Sequence, residues 1–231
     1  MSVIIGGVDA CRAGWLCVRQ DNSKVDGEVF TTFQEALRFL DTAAIIAVDI
    51  PIGLSSAGER PCDPLARQLL GFSRAGSVVP PPVWAVVHET NFELACSKHR
   101  ATDGRVLSKQ AFEILPKILE VNDLMRRQVD LQERVREIHP ELSFAVWNDG
   151  RAMKHRKSDP AGKVEREKLI DRQWPQRARV AGTLRRAGHQ LEDLNDAFAA
   201  LWTAARITRG AAKVLGPPTP DQYGIRMQVW A

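Results

Sequence analysis

The chain opens on Val3-Ile-Ile-Gly-Gly-Val-Asp9, a β-branched run bounded by Gly and Asp that predicts a buried strand. Five small or turn-prone residues, Ala10–Gly14, lead to a second apolar run, Trp15-Leu-Cys-Val18, and this spacing predicts a hairpin. A third strand is expected over Gly27–Thr32. Phe33, Ala36, Leu37 and Leu40 then fall on one helical face. Ala43-Ala-Ile-Ile-Ala-Val-Asp-Ile50 is apolar without alternation, the pattern of a central strand covered on both faces, and Pro51 ends it by removing a donor. A β-β-β-α-β opening follows, with a mixed sheet and helices on both faces, so the fold class is α/β.

From Pro51 to about residue 90 the chain is rich in Gly, Pro and Ser, with a short helix expected near Asp63–Gly71 and a stiff stretch at Pro80-Pro81-Pro82. Helical patterns follow at Phe92–Arg100 and Lys109–Arg127, and a further strand is expected within Val135–Trp147. Two basic helices are expected at Lys163–Trp174 and Pro175–Ala187, and an Ala- and Leu-rich helix at Leu194–Val214. No internal repeat is present. These readings place residues 1–231 in a single domain, with a Gly/Pro-rich insertion at about 51–90, a basic helical segment at about 151–186 and extra C-terminal helices.

Composition narrows the class. With 44% hydrophobic and 26% charged residues over 231 positions, the chain is neither disordered nor fibrous and is long enough to bury a core. No apolar run approaches the roughly 18 residues that span a bilayer, and Met1–Asp9 lacks a basic leader region, so the expected location is cytoplasmic with no membrane partner. Cys11, Cys17, Cys62 and Cys96 form no C-x-x-C pair, which excludes a zinc ribbon or a thioredoxin motif and leaves them as thiols. The net charge is only +4, yet Arg151–Arg186 holds twelve Lys/Arg against four Asp/Glu, a local +8 on a body of −4. Such a segment suits a phosphate-binding flank. It equally suits solvated helices with long Arg stems.

The candidate chemistry lies in carboxylates at element ends. Asp9 closes the first strand and Asp49 the buried one; either alone could simply start a turn. Two such carboxylates on neighbouring strands would repel and, when buried, take up protons more readily, a conflict that a divalent cation resolves. Asp193 and Asp196 share a face at a helix start, where capping is the plainer role. In a strand, Glu137, His139 and Glu141 would project to one side, where Glu137 could complete a metal site. Arg74-Ala-Gly-Ser77 could present an Arg to a phosphate or pack over a sheet edge, and Arg60, Asp63 and Arg67 could form a salt-bridged cap beside it. Trp15 and Trp84 could stack on bases, although burial is the commoner use. His88, His99, His155 and His189 show no ligand spacing.

The order Gly7-Val-Asp9 with Gly14-Trp15, then Val48-Asp49-Ile-Pro51-Ile-Gly53-Leu54, Glu137-Ile-His-Pro-Glu141-Leu-Ser-Phe144 and Glu192-Asp193-Leu-Asn-Asp196-Ala-Phe-Ala-Ala-Leu-Trp202 resembles the family catalogued as domain of unknown function 429, described as predicted RNase H-like nucleases. The resemblance runs from about Val3 to Gly224–Trp230, and it is the combination that is specific. It implies an RNase H-like fold. Asp193-x-x-Asp196-Ala-x-Ala is also similar to the acidic C-terminal helix of Holliday-junction resolvases in that superfamily. By that resemblance Asp9, Asp49, Asp193 and Asp196 hold two Mg²⁺ or Mn²⁺ ions, Asp49 standing where the resolvases usually carry Glu, and Glu137 joins them as a catalytic acid by the family motif alone. The implied activity is two-metal hydrolysis of structured or branched nucleic acid, DNA or RNA, with Arg12, Arg74, Lys154, Arg156 and Lys157 contacting the backbone. A homodimer stays open. Two rivals stay open as well: an actin-like ATPase using Gly7–Gly14 as a phosphate loop with Asp49 positioning water, and a binding module whose carboxylates lie apart and only cap elements.

Overall fold

Ile5–Cys11 (β1) and Gly14–Asp21 (β2) pair antiparallel through a connection of only Arg12 and Ala13, because Cys11 lies opposite Gly14. Strand pairing therefore extends three residues deeper into the turn than the apolar runs predict. Gly14 makes this possible: its φ is +138°, and a Cβ there would fall 2.0 Å from the Phe30 carbonyl oxygen. The computed structural model describes residues 3–184 and 188–231. Lys24–Phe30 (β3) pairs with β2, starting earlier than its apolar residues suggest. Thr32 then caps the helix Phe33–Phe39 in a reciprocal box with Glu35. Ile45–Asp49 (β4) runs parallel to β1, and Val135–Glu137 (β5) parallel to β4, giving a five-stranded mixed sheet of order β3-β2-β1-β4-β5. This α/β arrangement is compatible with an RNase H-like fold.

Two adjacent glycines show that helices cover both faces. A Cβ on Gly6 would meet the Leu40 side chain at 2.8 Å, whereas one on Gly7 would meet the Ala197 carbonyl at 2.2 Å and the Leu201 nitrogen at 2.3 Å. Successive residues of a strand point to opposite sides, so the Phe33–Phe39 helix lies on one face and the helix Leu191–Thr208 on the other. Leu194–Ala205 are all buried, as befits a helix apolar on every side. It begins at Leu191 and stops at Thr208, earlier than its composition predicts, before Gly210 at φ +65°. Its Trp202 stacks on Trp147, centroids 5.0 Å apart, and its Phe198 meets Trp174 at 5.6 Å.

The expected strand within Val135–Trp147 is only three residues long. Pro140 sits at the first turn of a helix, Pro140–Trp147, a position that loses nothing by lacking an N–H. The basic segment forms helices Pro160–Gln173 and Arg177–Thr183; the remainder of the second expected helix, residues 185–187, lies outside the described residues.

The chain divides into two compact units, Met1–Asp49 with Arg134–Lys213 and Trp230–Ala231, and Ile50–Glu133 with Val214–Val229. The Gly/Pro-rich stretch begins the second unit, which continues through helices Cys62–Leu70, Phe92–Asp103, Lys109–Glu113 and Leu115–Arg127. The last two replace one expected helix; the second of them opens with a proline. Buried side chains satisfy the irregular backbone here. Asn122 accepts from the Gly53 N–H at 2.8 Å, and Asp221 accepts from the Leu54 and Ile225 N–H groups and from the Trp84 indole. Arg60 and Asp63 pair at 2.7 Å, while Arg67 turns to Glu59. Trp84 is buried, as is Trp15 in the first unit against Phe33, so neither offers a free face to a base. Among the described residues no helix is long and apolar enough to cross a membrane.

Candidate metal centre

Parallel pairing of β1 with β4 sets Asp9 directly beside Asp49. Asp9 is two residues from Gly7 and so faces the same side of the sheet, towards the Leu191–Thr208 helix. That helix presses on Gly7 through Ala197, which brings the preceding residue, Asp196, against the strand ends. One carboxylate oxygen from each of Asp9, Asp49 and Asp196 lies within 4.8 Å of the others. Asp9 and Asp196 are only 5% and 2% exposed, so water cannot screen their charges, while Asp49 stays partly accessible.

Such a cluster resists ionisation. Burial, with the charges of Asp196, Asp49 and Asp193 added, holds the Asp9 carboxyl well above the usual range. Burial raises Asp49 too, against easing by His139 and Lys157, and a side-chain hydrogen bond joins it to Asp9. Asp196 is pushed up to about 6, chiefly by burial. One cationic group answers them by direct contact: Lys157 Nζ donates to Asp196 Oδ2 at 2.7 Å. Burial works against its charge, but Asp196, Asp49 and Asp9 outweigh that and raise the Lys157 pKa. Asp196 Oδ1, by contrast, is buried without a hydrogen-bond partner among the described residues. An orphaned carboxylate oxygen beside two more carboxyls is a donor set suited to a hard divalent cation.

The loop carrying Lys157 is fastened from the helix that follows it. Glu165 accepts from the Lys154 and His155 N–H groups at 2.9 and 3.1 Å. Arg166, 1% exposed, donates to the carbonyls of His155 and Gly162 and pairs with Glu141 at 2.5 Å. Glu141, whose charge adds to that on Asp49 and Asp196, gives Oε1 to Arg166, while its Oε2 is buried with no hydrogen-bond partner among the described residues.

Several expected positions lie elsewhere. Asp193 is not in the three-carboxylate group; its Oδ2 accepts from the Gln190 N–H at 2.6 Å in a capping box, so it serves the helix start and bears on the cluster through its charge, on Asp9 and on Lys157. Glu137 does not join either. It stands in register with Val48, and so its side chain leaves the face opposite to Asp9 and Asp49. His139 and Glu141 do not share a strand face with it, because Pro140 starts a helix between them. Arg12 is exposed in the β1–β2 turn, Lys154 and Arg156 are exposed on the Lys157 loop, and Arg74 precedes a 3₁₀ turn in the second unit. Sequence reasoning singled out Lys157 for phosphate, not for Asp196, and gave no place to Arg166; contacts 39 and 25 residues apart leave no local signal.

A family model described as "Protein of unknown function (DUF429)" matches residues 7–221. The chain belongs to the DUF429 family. All three clustered carboxylates of this DUF429 protein fall within the matched span. No curated protein and no solved structure matches the chain.

Proposed function

We propose that this DUF429 protein is a metal-dependent nuclease that hydrolyses phosphodiester bonds of structured or branched nucleic acid, with Mg²⁺ or Mn²⁺ held by Asp9, Asp49 and Asp196. The observation that carries this reading is the meeting of three carboxylates from two strands and a helix, two of them almost fully buried, with one oxygen unpartnered. A protein keeps such charges together at a cost in stability unless a cation balances them. Divalent cations in a site of this kind supply positive charge for the substrate phosphate and the leaving oxygen. Asp9, the most enclosed by like charges, would hold the cation together with Asp49 and Asp196, and the partly accessible Asp49 marks the open side. Lys157, half exposed along its side chain, is able to leave Asp196 when a stronger cation arrives and to turn towards a substrate phosphate.

Neither rival is favoured. A phosphate loop needs glycines whose backbone faces a ligand, but Gly6 is filled by Leu40 and Gly7 by the Ala197 turn, and the Asp9–Gly14 stretch is a tight hairpin. A module with merely capping carboxylates requires them apart, and Asp9, Asp49 and Asp196 are together. The test is incubation of the purified protein with Mn²⁺ or Mg²⁺ and branched DNA, single-stranded DNA or an RNA–DNA hybrid, beside Asp9→Asn. Cleavage by the wild type and loss of at least about a hundredfold in the variant are expected; cleavage indifferent to Asp9→Asn rejects the assignment.

A further inference from the structure

Some cations of the basic segment pair with the protein's own carboxylates and others do not. Lys157, Lys163, Arg166 and Arg177 are spent on carboxylates of the protein itself. Lys154, Lys168 and Arg172 have no ion-pair partner among the described residues, and all three line one cleft of about 620 Å³. The helix Pro160–Gln173 arranges this. Val164, Lys168 and Arg172 recur every fourth residue and form one ridge, and Ala161, Glu165 and Leu169 form the next. Met153, Val164 and Leu169 add apolar surface to the lining, so basic and greasy groups share the cleft. Glu165 faces it too, but its carboxylate is engaged by the Lys154 and His155 N–H groups and anchors the loop.

We infer that this cleft seats an unpaired stretch of nucleic acid, with phosphates on Lys168, Arg172 and Lys154 and a base against Met153, Val164 and Leu169. A duplex hides its base faces by stacking, so only a single-stranded segment can use both parts of the cleft. Lys154 is three residues from Lys157, at most about 11 Å of chain. The Lys154 end of the seat therefore lies on the same loop as the lysine that meets the acidic cluster. This deepens the nuclease reading by naming the substrate as nucleic acid with an unpaired segment next to the scissile bond; the binding itself does not depend on hydrolysis.

The experiment measures fluorescence anisotropy of a labelled single-stranded oligonucleotide and of a blunt duplex with the full chain in EDTA, across a range of salt. The double variant Lys168→Glu/Arg172→Glu is expected to bind the single strand about tenfold or more weakly, with a salt slope shallower by about 1.4 for two lost phosphate contacts. Its thermal melting and its Mn²⁺ affinity should stay as in the wild type, and the duplex should lose less. Arg209→Glu/Lys213→Glu, the same charge change at exposed sites outside the cleft, should have a much smaller effect. Equal losses in the two double variants, equal losses for duplex and single strand, or displacement by polyglutamate at equal charge would each overturn the proposal. Because no cation is present, an inactive enzyme leaves the binding result standing, and normal binding by the cleft variant leaves the hydrolysis reading standing.

Discussion

Asp196 divides its two oxygens between a lysine and nothing, and this asymmetry sets the behaviour of the whole cluster. Its carboxyl titrates near 6 when folded, against about 4 in an unfolded chain. Between those values the folded protein keeps a proton that the unfolded chain has released, so folded stability falls as pH rises. The contribution is complete below about pH 4 and gone above about pH 6, and the raised pKa values of Asp9 and Asp49 act in the same direction. Metal-free wild type should therefore lose melting temperature relative to Asp196→Asn between pH 4.5 and 7.5 (a range chosen to bracket about 4 to 6); a difference that stays flat over that range contradicts the described burial. Lys157→Met removes the built-in cation. Calorimetric titration of that variant should show Mn²⁺ binding tightened several-fold, since the metal no longer displaces an ammonium, while the metal-free protein melts earlier above pH 7 by an amount on the order of 1 kcal/mol, modest because the lysine is half exposed. Unchanged Mn²⁺ affinity would mean that the cation binds away from Asp196.

At the scale of elements, the cluster exists because a helix lies against a strand with no room for a side chain between them. Gly7→Ala places a Cβ 2.2 Å from a helix carbonyl, which forces strand and helix apart; a loss of about 3 kcal/mol is expected in urea unfolding, with weaker metal binding because Asp196 retreats from Asp9. Gly6→Ala is the matched control. It meets only the flexible end of Leu40, and should cost distinctly less. Equal losses at the two positions would deny the close approach. Much of this element pattern was legible in the chain. The unalternating run to Asp49 read as a central strand, and the Ala- and Leu-rich run from Leu194 read as a helix. Asp9 and Asp49 were legible as strand ends, but their exact pairing is a register, set by the whole of β1 against β4 rather than by either aspartate. Where pattern failed, a local rule overrode it: Pro140 turns an expected strand into a helix start and sends Glu137 and Glu141 different ways. Asp193 read as a cap from its place at the helix start and as a ligand only through the family resemblance, because both roles want a carboxylate in the first turn; the Gln190 N–H bears out the cap.

For the molecule as a whole, the decisive fact is that Asp9, Asp49, Asp196 and Lys157 all belong to the first compact unit, as does the basic cleft. A cation that binds only the folded cluster stabilises by RT ln(1 + [L]/Kd), about 2.7 kcal/mol at a hundredfold excess over Kd. Hydrogen exchange can locate that energy. With Mn²⁺ added at neutral pH, amides of Ile5–Cys11, Ile45–Asp49 and Leu191–Thr208 should exchange up to about a hundredfold more slowly, since these elements carry the ligands. Amides in Cys62–Leu70 and Leu115–Arg127 should be left nearly as they were, because the second unit supplies no carboxylate to the cluster. The Asp9→Asn protein, carried through the same measurement, should show no metal-dependent slowing anywhere. An equal gain across Ile50–Glu133 would instead mean that the chain opens in one cooperative step, and no gain in β1 or β4 would mean that the clustered carboxylates do not bind Mn²⁺, which removes the physical basis for metal-dependent hydrolysis.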